Sequence, residues 1–467
     1  MSTYAEESFR DSVSHIDQQG KRVWFFPKQP SGTFYNWRTR VSWIYIVIFF
    51  TLPFIEWKGD PLFLFNIVER KFILFGVRFW PQDLFIFMLG MIIFIVFIAL
   101  FTVVYGRVFC GWVCPQTIFM EMIFRKIEYA IEGNAARQKQ LQNGPWTNEK
   151  IKKRALKIVL FFIVAFMVAH TLLAYIIGVK EVWKIMTEPA GQHIGGLIAM
   201  IAFTVIFFFV YYWFREQACL VVCPYGRMQG VLLDKNSIVV AYDYVRGEPR
   251  HKGKETGKGD CIDCGDCVRV CPTGIDIRNG TQLECVNCTA CIDSCDHIMQ
   301  GLNKPKGLIR YASENTIAKG QRLRFTPRII AYTAVLGVLI SLESFLLITR
   351  SDLDVNVARP KGTLFYRPTD STISNLYNIK IVNKTRAALP VVVHEEKMHA
   401  QIQHVGDSLL VIPPDTVIDV QLFVILPVSR ITQQKSNIRL CFEAHGQCIS
   451  REKTTFLGPS NRQFKKQ

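Results

Sequence analysis

Apolar residues gather in five long runs, at about Val41–Trp57, Leu84–Tyr105, Ile158–Val179, Ile194–Phe214 and Ile329–Thr349. Runs of ~20 such residues are long enough to cross a bilayer as helices, so the pattern predicts five transmembrane helices. The first is the shortest and contains Pro53. The Lys58–Asp83 connection is partly apolar and is expected to lie along the bilayer. Between the fourth and fifth runs the pattern breaks up. Val231–Tyr244 reads as a short strand-like linker, Arg246–Asp260 is a Gly- and Lys-rich joint, and a basic stretch leads through Arg328, with Pro327 at the entrance to the last run. Beyond Arg350 the period changes to two. Tyr377–Thr385 and Val417–Leu426 alternate apolar and polar residues, with turn signals at Gly406-Asp407 and Pro413-Pro414. That pattern predicts a β-sandwich of ~100 residues.

Charge orients these elements. The loop between the second and third runs carries Arg107, Arg125, Lys126, Arg137, Lys139, Lys150, Lys152, Lys153 and Arg154, whereas the Lys180–His193 loop carries only Lys180 and Lys184. Cytoplasmic loops are the basic ones. No cleavable signal is apparent before the first run. The expected organisation is therefore a polar cytoplasmic segment over 1–40, a four-helix membrane block over 41–215, a cytoplasmic domain over 216–327, a fifth span over 328–349 and an external β domain over 350–467, in a bacterial inner membrane. Much of the net charge of +17 borders spans, which points to anionic lipid head groups and not to nucleic acid.

The cysteines add chemistry. Cys261-x-x-Cys264-x-x-Cys267-x-x-x-Cys271-Pro272 is followed by Cys285-x-x-Cys288-x-x-Cys291-x-x-x-Cys295-Asp296. In the bacterial pattern for paired [4Fe–4S] clusters, each run supplies three thiolates to one cluster and its fourth to the other. One cluster is expected on Cys261, Cys264, Cys267 and Cys295, the other on Cys285, Cys288, Cys291 and Cys271. Structural zinc also uses Cys-x-x-Cys pairs, but a third cysteine in each run exceeds its needs. One-electron transfer is the expected activity.

A second echo follows spans two and four: Cys110-Gly-Trp-Val-Cys114-Pro115 and Cys219-Leu-Val-Val-Cys223-Pro224. With both spans running inward, four thiols emerge at the cytoplasmic face. The i, i+4 spacing puts each pair on one face of a helical turn. Soft thiolates favour Cu(I); buried free cysteines and a structural zinc site are the other readings.

The run Gly106–Thr117, the Cys219–Pro224 motif, the double cluster motif, the last span and the β-rich tail together resemble the CcoG (FixG/RdxA) family of cytochrome c oxidase accessory proteins, over nearly the whole chain. The membrane block alone also resembles NapH-type membrane ferredoxins. The resemblance implies reduction of Cu(II) to Cu(I) during assembly of cbb3-type cytochrome oxidase. It maps Cys110, Cys114, Cys219 and Cys223 onto the family's copper-handling cysteines and makes the tail an Ig-like domain. Expected partners are oxidase assembly factors, a copper chaperone or transporter, and a soluble electron donor. A quinol-linked electron conduit and a non-catalytic assembly scaffold are the rival functions.

Among other residues, His170 falls mid-span, where an ionisable group marks function by default, and a neutral, hydrogen-bonded histidine is expected. Glu343 lies near the outer end of the last span and reads as a hydrated helix-end carboxylate. His394, Met398, His399 and His404 share no single face of the β region. Cys441 and Cys448 flank Glu443–Gly446, and a four-residue turn there would set them opposite each other for a disulfide.

Overall fold

A computed structural model describes residues 22–459 apart from 23, 68–70, 81–82, 252–258, 321–325, 352, 361, 363, 406–409, 415, 432 and 445. The Gly406-Asp407 turn, residues 252–258 of the 246–260 joint and part of the basic stretch before Arg328 lie outside the described residues. The chain divides into two compact units, residues 1–77 with 88–340, and residues 78–87 with 341–467.

In the first unit the main helices are α1 (Thr33–Thr51), α2 (Leu84–Tyr105, which begins in the second unit), α3 (Asn148–Ile177), α4 (Ile194–Phe209), α5 (Ala290–Gly301) and α6 (Pro327–Ile348, which ends in the second unit). Among the described residues four helices are long and apolar enough to cross a membrane: α2, α3, α4 with its extension to Phe214, and α6. Most of their large apolar side chains face outward, as suits a hydrocarbon surround.

The first predicted span is corrected. Its helix starts earlier, at Thr33, and takes in Arg38 and Arg40. It ends at Thr51, because Pro53 opens a 3₁₀ turn, Leu52–Phe54, and a short strand follows. The apolar part of α1 is therefore only about half of the helix. Nor is the 1–40 segment only a polar lead, since its last eight residues are helical.

The bundle core is aromatic. Ile46 of α1, Phe119, Phe124, Phe161 of α3 and Tyr211 pack together, and Phe124 stacks on Tyr211 with centroids 4.4 Å apart. At one end of this core lies a fully buried ionic knot. Glu128 accepts two bonds from Arg215, at 2.9 and 2.7 Å, and pairs with Lys157 at 3.4 Å, while Lys157 reaches Glu132 at 2.8 Å. Burial alone would raise the Glu128 carboxyl, but Arg215, Lys157 and Arg125 outweigh it and hold it below its ordinary value.

The cysteine-rich segment folds around α5 and a two-stranded pair, β1 (Val239–Tyr242) with β2 (Ile309–Ala312). The strand predicted within Val231–Tyr244 is thus present but confined to Val239–Tyr242, since a helix ends at Leu232 and another starts at Tyr244.

The second unit holds a sandwich of β3 (Leu353–Ala358), β4 (Tyr366–Thr369), β5 (Thr372–Asn383), β6 (Leu389–Glu395), β7 (Gln401–His404), β8 (Leu410–Ile412), β9 (Val417–Pro427), β10 (Lys435–Ala444) and β11 (Gln447–Leu457). One sheet runs β7-β9-β5-β3 with β4 also on β5, and the other runs β8-β6-β10-β11. Alternate residues of both close on one core, including Ile379, Val424, Leu440 and Phe456. Asn375 ties the sheets by exchanging hydrogen bonds with the Leu457 backbone at 2.9 and 3.0 Å.

Cys441 and Cys448 form a disulfide. The predicted turn is corrected: Ala444 pairs with Gln447 and Glu443 with Cys448, so the cysteines are bonded diagonally across a bulge at Phe442/Glu443. In this sheet His394 pairs with Glu443 at 3.5 Å. Among the described residues none of His394, His399 and His404 belongs to a group of three His, Cys, Asp or Glu donors within 4.8 Å. Among the described residues the one group with three donor atoms within 4.8 Å is Glu396, Cys441 and Cys448, two of which are the disulfide itself.

Candidate redox site at the end of the helical bundle

The eight cysteines of the two runs separate into two pockets. Cys261, Cys264, Cys267 and Cys295 line one, while Cys271, Cys285, Cys288 and Cys291 line the other together with Cys267. The chain thus brings together the two groups of four that the spacing predicts, each fourth cysteine being lent by the opposite run.

Local structure explains how. Gly265 and Thr289 enter the short helix Asp266–Arg269 and α5 in left-handed conformations, which swings the following cysteine back toward its pocket. Gly274, at φ +69, shapes the loop whose backbone N–H groups at Thr273, Gly274 and Ile275 bond the Cys271 sulfur. Donors of this kind set the electronics of cluster sulfurs, and the donor set fits a pair of cubane clusters. Burial pushes the thiols of Cys267, Cys285 and Cys295 up to about 12 and that of Cys288 up to about 11, outweighing the opposing pull of Arg278 on Cys267, of Arg107 on Cys285 and of Arg38 on Cys288. Asp296 stands where the first run has Pro272; its carboxylate accepts the Gly307 N–H at 2.8 Å and so anchors the far end of α5.

The Cys-x-x-x-Cys-Pro pairs repeat one local design. Cys110 lies in a short helix, Val108–Trp112, and Cys219 in a π-helical turn, Ala218–Val222. Cys114 and Cys223 are the N-caps of the next helices, at φ/ψ of −58/125° and −67/115°, and each is followed by proline at the first helical position. The expected continuous i, i+4 turn is corrected here: the helix breaks between the two cysteines, because the residue before a proline is driven to extended backbone.

The four thiols share one neighbourhood. Burial pushes Cys110 up to about 11, with contributions from Cys114 and Cys223, and pushes Cys219 up to about 12, with contributions from Cys114, Cys110 and Cys223. No three of these sulfurs fall within 4.8 Å of one another, whereas tetrahedral thiolate bonds of about 2.3 Å would put sulfurs about 3.8 Å apart. The thiols are gathered without forming a closed single-ion cage.

This thiol group abuts the second cysteine pocket. Cys110 packs against the cluster of Val270, Val286, Cys288 and Ala290. The contact depends on Gly111, because a Cβ there would stand 2.6 Å from the Val286 oxygen and 2.8 Å from that of Asn287. The buried Arg38 of α1 donates to the Gly111 carbonyl at 2.7 Å. Arg107 donates to the carbonyls of Leu283 and Gly226, and to that of Cys285 at 3.4 Å. Gln229, fully buried, donates its amide to the Cys110 sulfur at 3.4 Å. A void of about 20 Å³ beside Cys219 is bounded on its other side by Pro272, Thr273 and Val286.

Arg38, Arg107, Gly111 and Gln229 were not singled out from sequence, although Arg107 and Gly111 lie in the motif that carries the family resemblance. His170 is hydrogen-bonded, as expected: its Nδ1 bonds the Phe166 carbonyl at 2.8 Å within the same helix, and the ring centroids of the two residues lie 3.8 Å apart, while its Nε2 is buried without a partner among the described residues.

Family models match three segments: a 4Fe-4S dicluster domain over residues 214–314, the Ig-like fold at the C-terminus of FixG over 344–459, and a 4Fe-4S binding domain over 87–132. The nitrogen fixation protein FixG of Rhizobium meliloti is 31% identical over 91% of this chain and 90% of its own length. The chain belongs to the FixG/RdxA family. Protein RdxA of Cereibacter sphaeroides is 35% identical over 78% of this chain and 80% of the relative, and RdxB of the same organism 30% over 94% and 97%. As a member of this family the chain is a membrane iron–sulfur electron-transport protein, with 4Fe-4S binding domains before an Ig-like C-terminal domain.

Proposed function

We propose that this protein reduces Cu(II) to Cu(I) at the Cys110, Cys114, Cys219 and Cys223 thiols, in service of copper delivery to a cbb3-type cytochrome oxidase. The observation that carries the reading is the convergence of two soft-donor pairs on one spot against the second cysteine pocket. The two groups Cys261/Cys264/Cys267/Cys295 and Cys271/Cys285/Cys288/Cys291 would hold [4Fe–4S] clusters, which when bound supply single electrons. The chain's own part is to keep the two sites in contact through Gly111, Arg38 and Arg107. It also offers copper thiolate ligands that favour the monovalent state. Each turnover adds one electron to one Cu(II), and a soluble reduced donor replaces it.

The basic 107–154 loop supports a cytoplasmic thiol face, and an external Ig-like domain follows if α1 and its 3₁₀ turn make the shortest of five crossings of the inner membrane. Oxidase assembly factors and a copper carrier are the partners this reading requires.

The test is the double variant Cys110→Ser/Cys114→Ser in anaerobically purified full-length protein. Copper binding and Cu(II) reduction, read with a Cu(I) chelator dye, should fall by at least about tenfold, while iron stays near eight per chain. Undiminished copper reduction would overturn the proposal.

One observation favours a second reading. The 4Fe-4S binding model over 87–132 contains no cysteines other than Cys110 and Cys114, and the open spacing of the four thiols suits a cluster better than a single ion. A third cluster at this spot would show as about twelve irons per chain, falling to about eight in the same double variant.

A further inference from the structure

A cavity of about 600 Å³ opens at the end of the bundle where α3 and α4 change from polar to apolar. On α3 its wall runs from Lys150 and Arg154 to Ile158, the first residue of the apolar stretch; on the α4 side it is closed by Tyr212 and Trp213, just ahead of Arg215. Trp24 and Trp146 complete an aromatic rim, and the Arg22 guanidinium lies 3.9 Å from the Trp24 ring centroid and 5.2 Å from that of Trp213.

The charge around this space is unevenly met. Lys157 and Arg215 are neutralised by Glu128 and Glu132 in the ionic knot. Lys150 instead donates to the uncharged carbonyls of Gln142, at 3.2 Å, and Gly144, at 2.7 Å. Among the described residues no carboxylate lies within 4.0 Å of its Nζ. Arg154 shares Glu132 only at 3.5 Å.

We propose that this cavity binds the phosphate headgroup of an acidic phospholipid, with Lys150 and Arg154 meeting the phosphate and the acyl chains descending along Ile151 and Ile158. Three features select that ligand. The cations stand just before the apolar stretch of α3, at headgroup depth, where basic pockets between spans hold anionic lipids. Tryptophan and tyrosine mark the same level. Ile151 and Ile158 are half exposed, and Val159 and Phe162 continue an outward apolar wall from them. A free phosphate ion would use neither the volume nor that wall, and a neutral quinone ring gives no use for the excess cations. Arg215 lines both this cavity and the void beside Cys219, so the lipid would sit one side chain from the thiols. The proposal does not rest on the copper-reduction reading.

The test uses delipidated full-length protein in detergent, titrated with phosphatidylglycerol bearing brominated chains, with tryptophan quenching as the readout and phosphatidylcholine as the neutral comparison. Phosphatidylglycerol should quench at lower lipid fraction than phosphatidylcholine. Lys150→Gln/Arg154→Gln should weaken that preference by about 25-fold, about fivefold per cation, and Lys152→Gln, on the same helix but outside the cavity, should leave it unchanged. Trp213→Leu should remove part of the quenching in a protein with both cations intact, which guards against a misfolded double variant. An equal loss in Lys152→Gln would show diffuse surface charge and overturn the proposal. So would displacement of the lipid by millimolar inorganic phosphate, or saturable quenching by a ubiquinone analogue that phosphatidylglycerol does not relieve.

Discussion

The joint between the membrane block and the cysteine-rich domain rests on one missing methyl group. In Gly111→Ala the new Cβ would meet three backbone atoms, the Val286 oxygen at 2.6 Å, the Asn287 oxygen at 2.8 Å and the Asn287 carbonyl carbon at 2.9 Å. None is the end of a flexible side chain. Ordinary contact begins near 3.4 Å, so the two segments must part by about 0.8 Å (3.4 − 2.6) at the tightest point. Overpacking of this kind costs about 1–3 kcal/mol. If the shift also breaks the Arg38 bond to the Gly111 carbonyl, a charged hydrogen bond worth about 1.5–3 kcal/mol is lost as well. Val286 lies between cysteines 285 and 288, so the displaced loop is the one that lines the second pocket. The assay is denaturant or thermal bleaching of the iron–sulfur absorbance in purified protein, with Gly191→Ala as comparison, since a Cβ there meets nothing within 4 Å. Gly111→Ala should bleach at a lower midpoint while loading the same iron, and Gly191→Ala should match the parent. A Gly111→Ala protein as resistant as the parent would refute the close backbone contact.

Removing the exposed Cys264 as Cys264→Ala should halve the iron content to about four per chain and stop sustained Cu(II) reduction while copper still binds; metal analysis and the chelator assay read both. Glu128→Gln leaves Arg215 and Lys157 buried with half their countercharge and should destabilise the bundle by about 3–5 kcal/mol, read by chemical denaturation. Because the folded Glu128 carboxyl lies below its unfolded value of about 4.3, its contribution is complete above that pH and is lost as pH falls further; the parent, but not Glu128→Gln, should show this acid-dependent part of the loss. Asp293→Ala should cost about 1 kcal/mol through the cap it provides to α1, and a matched midpoint in the same denaturation assay would disprove that role.

The parts of this protein that were legible in the sequence are those whose chemistry demands a fixed spacing. Four thiols per cluster impose Cys-x-x-Cys-x-x-Cys and a lent fourth ligand, and the pockets keep that partition. A sheet buried on one face imposes alternation: the predicted strand Val417–Leu426 lies inside β9, and Tyr377–Thr385 overlaps β5 as far as Asn383, the two strands pairing with each other. Features held by one long-range contact were hidden. The end of α1 at Thr51 depends on where Pro53 tightens the chain. The diagonal disulfide depends on a bulge at Phe442/Glu443 that no local pattern signals. Arg107 reads as an ordinary basic residue of a cytoplasmic loop and Arg38 attracts no notice, yet both are buried and spent on backbone carbonyls, Arg38 on Gly111 and Arg107 across the domain joint on Leu283. The break inside each Cys-x-x-x-Cys turn is signalled by its proline, although the spacing alone reads as one helical turn.

The same joint explains why the cysteine-rich domain cannot be treated as a separate ferredoxin attached by a tether. Asp293, on α5 between Cys291 and Cys295, accepts the Phe34 and Tyr35 N–H groups at 3.0 and 2.7 Å and so caps α1. Gly32 must be glycine at that point, since its φ is +147° and a Cβ would lie 2.4 Å from the Asp293 carboxyl carbon. The N-terminal segment adds a second tie, with Lys28 paired to Asp266 at 2.9 Å and its backbone N–H bonded to the Arg269 carbonyl. Two cysteine-bearing elements thus hold the start of α1, whose Arg38 in turn grips Gly111 beside Cys110. Whatever fixes the cysteine pockets, a bound cluster included, therefore also fixes the entry of α1 and, through Arg38, the turn that carries the first thiol pair. Ligand binding that orders one part of such a chain stabilises every part mechanically joined to it, and the thiol pair at Cys110 and Cys114 is within two contacts of α5.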